Sequence, residues 1–141
     1  MRLHHMLAHA NVVAVSDVAE RVLLQQWHEL MACHARVFNG LECALQERHG
    51  IGVNEFEALE QLATSEASQC RSADLTEAVH LSQSATSRLV GRLEREGLVE
   101  RAMCEMDRRG IFVTLTDEGL KRYREAKPTH RAVLEKTLGR D

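Results

Sequence analysis

The chain has 141 residues and a formal charge of -3, with 44% hydrophobic but only 4% aromatic residues. That length suits one domain, the apolar content suffices for a core, and the mild acidity argues against a generic binder of polyanions. No apolar run approaches the roughly 20 residues that span a bilayer, and residues 1–15 lack a continuous apolar segment with a cleavage site, so a cytoplasmic protein without a signal peptide is expected.

Residues 1–15 read as an extra N-terminal helix or arm. Ser16-Asp17 makes a good N-cap, with Glu20 placed for a capping box, and a long helix should run to about His49. Its apolar stripe of Leu23, Trp27, Leu30, His34, Val37, Leu41 and Leu45 is widened by Leu24, Met31 and Phe38. So broad a stripe needs cover on more than one side, which in a small chain implies a partner subunit as well as its own domain. Gly40 is a possible kink. His49-Gly50-Ile51-Gly52 breaks the helix. Asn54 is expected to cap the next one, with Phe56, Leu59, Leu62 and Ala63 inward and Glu55, Glu57 and Glu60 outward. The chain loosens from Ser68 to Ser72, where Cys70-Arg71 is a candidate third strand.

Next comes the stretch on which function rests. Asp74 or Ser72 caps a short helix through about Val79, His80-Leu81 breaks it, and Ser82 caps a second helix from Gln83 to about Glu96. Gly97 supplies the left-handed stop. Ala85, Leu89 and Leu93 recur every four residues beside Val90, so one side is apolar. Another side carries Gln83, Ser84, Thr86, Ser87, Arg88 and Arg92. Ser, Thr and Gln suit base edges, and arginine suits guanine or phosphate. Ser and Thr are weak helix formers and poor choices for mere solubility, so Ser84, Thr86, Ser87 and Arg88 form the expected contact set. For Arg92 a phosphate contact and an internal salt bridge stay equally open.

Val99, Arg101 and Met103 alternate with Glu100 and Ala102, and Ile111, Val113 and Leu115 with Phe112 and Thr114, as in two half-buried strands. Between them Cys104 to Gly110 is too long for a tight hairpin and is tipped with Arg108 and Arg109. A helix-turn-helix followed by an arginine-tipped hairpin is a winged helix. Its second helix would enter a major groove, and the loop would reach the neighbouring minor groove or backbone. Arrangement rather than composition exposes this site: Arg88 to Arg109 holds six arginines against five acids. Thr116 then caps a last helix, with Asp117 and Glu118 at its positive end, and Pro128 kinks or ends it.

The runs LSQSATSRLVGRLEREGLVER and DRRGIFVTLTDEG resemble the recognition helix and wing of MarR-type transcriptional regulators, over about Asn54 to Tyr123. The resemblance implies a mainly α fold with a small β-hairpin wing: a winged helix-turn-helix with long N- and C-terminal dimerisation helices. Residues 1–50 would be an arm and dimerisation helix, 54–115 the DNA-binding domain, and 116–141 a C-terminal dimerisation helix. It further implies a homodimer on pseudo-palindromic DNA, usually a repressor released by an effector, with Asp107 bracing a wing arginine, Arg109 ahead of Arg108, in the minor groove. The chain ends earlier than that pattern usually does, so a shortened C-terminal interface is expected.

Cys33, Cys43, Cys70 and Cys104 form no CxxC pair and read as reduced thiols. Peroxide-sensing relatives pair an early cysteine with tyrosines, whereas here Cys33 lies in mid-helix and Tyr123 is the single tyrosine. His5 with His9, and Glu29 with Cys33, have spacings that could share a metal, but no third or fourth ligand is set, so neither metal nor cofactor is expected. A small organic effector against Trp27, Met31 and His34 is preferred, although Trp27 is more often plain core. The competing class is a winged-helix protein-interaction module without sequence-specific DNA binding. With no nucleophile–base pair, phosphate loop or metal constellation, an enzyme is not expected.

Overall fold

The computed structural model describes residues 16–103 and 110–139. Five helices and three strands follow in order: α1 (Asp17–His49), α2 (Val53–Ala63), a 3-10 turn, β1 (Gln69–Arg71), α3 (Ser72–Val79), α4 (Gln83–Arg95), β2 (Val99–Met103), β3 (Ile111–Leu115) and α5 (Asp117–Leu138). The chain divides into two compact units that meet at Ala35 and Arg36.

The first unit contains the leading part of α1, which starts as its sequence requires, with the Ser16 hydroxyl accepting the Ala19 amide at 3.2 Å. Val18, Val22, Leu23, Leu24, Trp27, Leu30 and Met31 are all 48–73% exposed. Trp27 is therefore not core of the protomer, contrary to the commoner role of a tryptophan on an apolar stripe.

The second unit has a continuous core. Leu45 of α1, Phe56, Leu59 and Leu62 of α2, Leu75 of α3, Leu89 and Leu93 of α4, and Val113 of β3 are completely buried. Helix α1 runs unbroken through Gly40. A Cβ there would sit 3.3 Å from Val133 Cγ1, so close packing on α5 rather than a kink accounts for the glycine.

Helix α2 begins one residue before Asn54, and neither Asn54 nor Gly52 caps it with a side chain. Instead the Glu42 carboxylate of α1 accepts the Val53 amide at 3.0 Å, placing a negative charge at the positive end of α2. Glu42→Ala should therefore cost about 1 kcal/mol, the usual worth of a helix cap, read as a lower urea midpoint at unchanged slope. No loss would show that water replaces the carboxylate.

The glutamates of α2 do not simply face solvent. The Tyr123 hydroxyl and Arg131 Nη2 of α5 both donate to Glu60, at 2.9 and 2.6 Å. Burial would raise the Glu60 pKa, but these two donors outweigh it and hold the carboxyl below its ordinary range. Glu57 takes His130 Nε2 at 3.0 Å. Arg131 can only donate, so His130 Nδ1 accepts its Nη1 at 2.6 Å and Nε2 carries the proton given to Glu57. His130, only 4% exposed, stacks on Phe56 with ring centroids 4.3 Å apart. Helix α5 also continues through Pro128, which neither ends it nor marks its last segment as separate.

The sheet has the order β1-β3-β2, antiparallel throughout, with Val99 opposite Leu115, Met103 opposite Ile111, and Cys70 opposite Val113. The expected third strand at Cys70-Arg71 is thus present. Burial falls along the ribbon: Val99, Val113 and Leu115 are buried, whereas Met103 is 69% and Ile111 40% exposed. Its far end leaves the core there. Among the described residues no helix is long and apolar enough to cross a membrane.

Candidate nucleic-acid interface

Helices α3 and α4 form the helix-turn-helix. Helix α3 has no side-chain cap, so neither Ser72 nor Asp74 fills that role, although Asp74 lies in its first turn. His80 ends it in the left-handed region, φ 57°, which a polar residue tolerates better than a branched one. Ser82 then caps α4, accepting the Ala85 amide at 3.1 Å. Gly97 closes α4 at φ 76°. The Thr116 hydroxyl donates to the Gly97 carbonyl at 2.7 Å, so the exits of α4 and of the wing are tied together.

Leu89, Val90 and Leu93 seat α4 in the core. Gln83, Ser84, Ser87, Arg88 and Arg92 are exposed along its other side. Thr86 is the exception. It is fully buried and its hydroxyl donates to the Ser82 carbonyl at 2.9 Å, so it braces the first turn of α4 and leaves the contact set. Arg92 lies 4.0 Å from the Glu55 carboxylate with half its side chain exposed, so an internal partner does not remove it from the surface. Burial, then Glu96, raises the Glu55 pKa against the pull of Arg92. Asp107, Arg108 and Arg109 lie outside the described residues.

The structure places two further arginines, Arg95 and Arg101, beside these residues. Arg95 continues the stripe of Arg88 and Arg92 at helical spacing, a signal that was present in the sequence. Arg101 reaches α4 from β2: its Nη2 approaches the Ser87 carbonyl at 3.4 Å, and Glu94 accepts its amide at 3.1 Å. No local pattern predicts that crossing.

Trp27, Met31 and His34 share one side of α1 and, with Leu30 and Ala35, line an open apolar depression of about 520 Å³. Among the described residues no three His, Cys, Asp or Glu side chains converge as metal ligands. Burial and then Asp74 push the Cys70 thiol up to about 11, the opposite of what a reactive thiolate needs. His5, His9 and Cys104 lie outside the described residues.

Residues 49–110 match the model of the MarR family. AbsC, a MarR family transcriptional regulator from Streptomyces coelicolor, is 32% identical and superposes with a TM-score of 0.77 over 89% of this chain and 81% of its own. Sco3205 from the same organism, a MarR family transcriptional regulator solved in complex with DNA, is 27% identical with a TM-score of 0.79, over 89% of this chain and 76% of its own. The uncharacterized HTH-type transcriptional regulator YwhA of Bacillus subtilis (strain 168) is 40% identical over 50 residues, and the match spans about a third of each protein, 36%. These are regulators rather than enzymes.

Proposed function

This chain belongs to the MarR family, and we propose that it acts in the cytoplasm as a homodimeric repressor that reads a pseudo-palindromic operator. The observation carrying this function is α4 itself. Its apolar side is locked in the core, while Gln83, Ser84, Ser87, Arg88 and Arg92 are presented outward beside the root of the wing. Side chains of this kind hydrogen-bond base edges and phosphates in a major groove. Asp107, Arg108 and Arg109 extend the contact through the wing loop. Residues 54–115 thus read DNA, and residues 1–50 and 116–141 hold the dimer. The exposed apolar face of α1 supports a second copy as its cover. A small organic effector, rather than an oxidant or a metal, suits the apolar depression at Trp27, Met31 and His34. By favouring one spacing of the two reading heads it would shift the dimer away from the DNA-competent state.

Selection from a random DNA pool tests the assignment. The expected result is an inverted repeat with half-sites about one helical turn apart, roughly 34 Å. No enriched motif, with weak and salt-insensitive retention, would instead mark a protein-interaction module. On the selected duplex, Arg109→Ala should weaken binding and lower the salt slope by about one while the dimer persists. Unchanged affinity would remove the wing from the interface.

A further inference from the structure

Ser87, Arg88, Gly91, Arg92 and Arg95 of α4 and Arg101 of β2 line one open recess of about 300 Å³. Arg88, Arg92 and Arg95 follow one another at spacings of four and three, on one side of the helix. Like charges at that spacing repel one another and destabilise a helix unless something compensates them. Only part of the compensation is internal. Glu55 stands 4.0 Å from Arg92 and Glu94 3.6 Å from Arg101 Nε, whereas no carboxylate among the described residues pairs with Arg88 or Arg95. Among the described residues the recess therefore keeps two positive charges without a paired carboxylate.

Arg101 forms its wall in a constrained way. Glu94 grips the residue twice, through the backbone amide at 3.1 Å and through the guanidinium. Its Nε is buried without a hydrogen bond, because 3.6 Å to Glu94 is too long for one. The guanidinium passes across Gly91, where a Cβ would stand 2.9 Å from Nη2. Gly91 is thus the bare patch of helix that lets a side chain from the sheet lie beside the three helical arginines. A planar guanidinium held in place loses little freedom when it binds, and its fork matches the oxygens of a phosphate.

We infer that this recess binds one backbone phosphate of DNA, with Arg101 as its fixed wall and Arg88 and Arg95 as its free cations. The assignment rests on the DNA-binding function proposed above and adds Arg95, Arg101 and Gly91 to the interface. Because a phosphate carries no sequence information, the contact should serve all sequences alike.

The test uses the full chain and a fluorescently labelled duplex of mixed sequence, with anisotropy followed from about 50 to about 200 mM salt. Arg101→Ala is expected to weaken binding about tenfold and to lower the salt slope by about one, equally on mixed and selected sequences. Arg95→Ala, at an exposed position where folding is not at stake, should lower the slope by the same amount with its melting midpoint unchanged. If both variants keep the parental affinity and slope while Arg88→Ala loses them, the recess is not a phosphate site although the protein binds DNA. If Arg88→Ala is also without effect, the DNA-binding function falls together with the recess.

Discussion

Trp27→Glu combined with Leu30→Glu is expected to convert the proposed dimer to monomer. The two side chains are 55% and 63% exposed in the protomer, in the middle of an apolar face that runs from Val18 to Met31. A contiguous apolar surface of that kind marks an interaction site. Large aromatic and aliphatic anchors at the centre of an interface each cost about 2 kcal/mol or more when lost. Introducing two carboxylates adds the cost of burying charge without partners. The dimer dissociation constant should therefore rise by at least about a thousandfold, at about 1.4 kcal/mol for each factor of ten. Operator affinity should fall with it, because joint binding of two half-sites adds roughly 100- to 10,000-fold over one. Sedimentation velocity reads the first effect and anisotropy on the selected duplex the second. The urea transition should lose only its dependence on protein concentration, the part that dimerisation contributes, since neither side chain is packed in the core of the protomer. A persistent dimer would show that the two copies meet elsewhere.

The largest loss of stability is expected from Phe56→Ala. Phe56 is completely buried, with the His130 ring 4.3 Å and the Tyr123 ring 5.5 Å away, so it fills the junction of α2 with α5. Truncating a buried phenylalanine removes its transfer energy and leaves a cavity, together about 3–5 kcal/mol. Here the cavity would lie beside the Glu57–His130 and Glu60–Arg131 pairs. Those pairs hold α5 against α2 and resist collapse into the space, which favours the upper part of that range. Urea unfolding followed by circular dichroism gives the difference directly, and a loss below about 1 kcal/mol would mean that the junction repacks freely.

The same pairs explain how an acidic chain carries a DNA-reading surface. Glu42 spends its charge on the N-terminus of α2, Glu57 on His130, and Glu60 on Tyr123 and Arg131. These acids count fully in the net charge of -3 but stabilise the interior of the domain. Glu94 goes further, because it holds Arg101 in the recess. Composition sums charges without regard to what each is paired with. It was therefore a poor guide to this partner.

Much of the architecture was legible because it depends on neighbours in the chain. Among the described residues, apolar periodicity locates α1, α2, α4 and both strands of the ribbon, and capping and breaking residues locate α3 and the start of α5. Ser16, Ser82 and Thr116 cap the helices expected of them, since a cap needs only its own amides two or three residues on. Gly97 stops α4 for an equally local reason. The exposed stripe of Gln83, Ser84, Ser87, Arg88 and Arg92 also follows from helical phase alone.

What the tertiary structure decided concerns residues that meet from far apart. Asn54 was a good candidate cap, yet the Glu42 carboxylate, eleven positions before the Val53 amide it accepts, occupies the end of α2. Pro128 was a good stop, yet α5 continues because His130 and Arg131 beyond it are held by α2. Thr86 shared the polar side in sequence, but its hydroxyl is satisfied by the Ser82 carbonyl, which makes complete burial tolerable. Trp27 looked like core and is exposed, because helical phase sets the face it occupies and not whether that face is covered. Arg101 over Gly91 joins a strand to a helix ten residues before it. Periodicity determines which face a residue occupies; only the packed chain determines what that face meets.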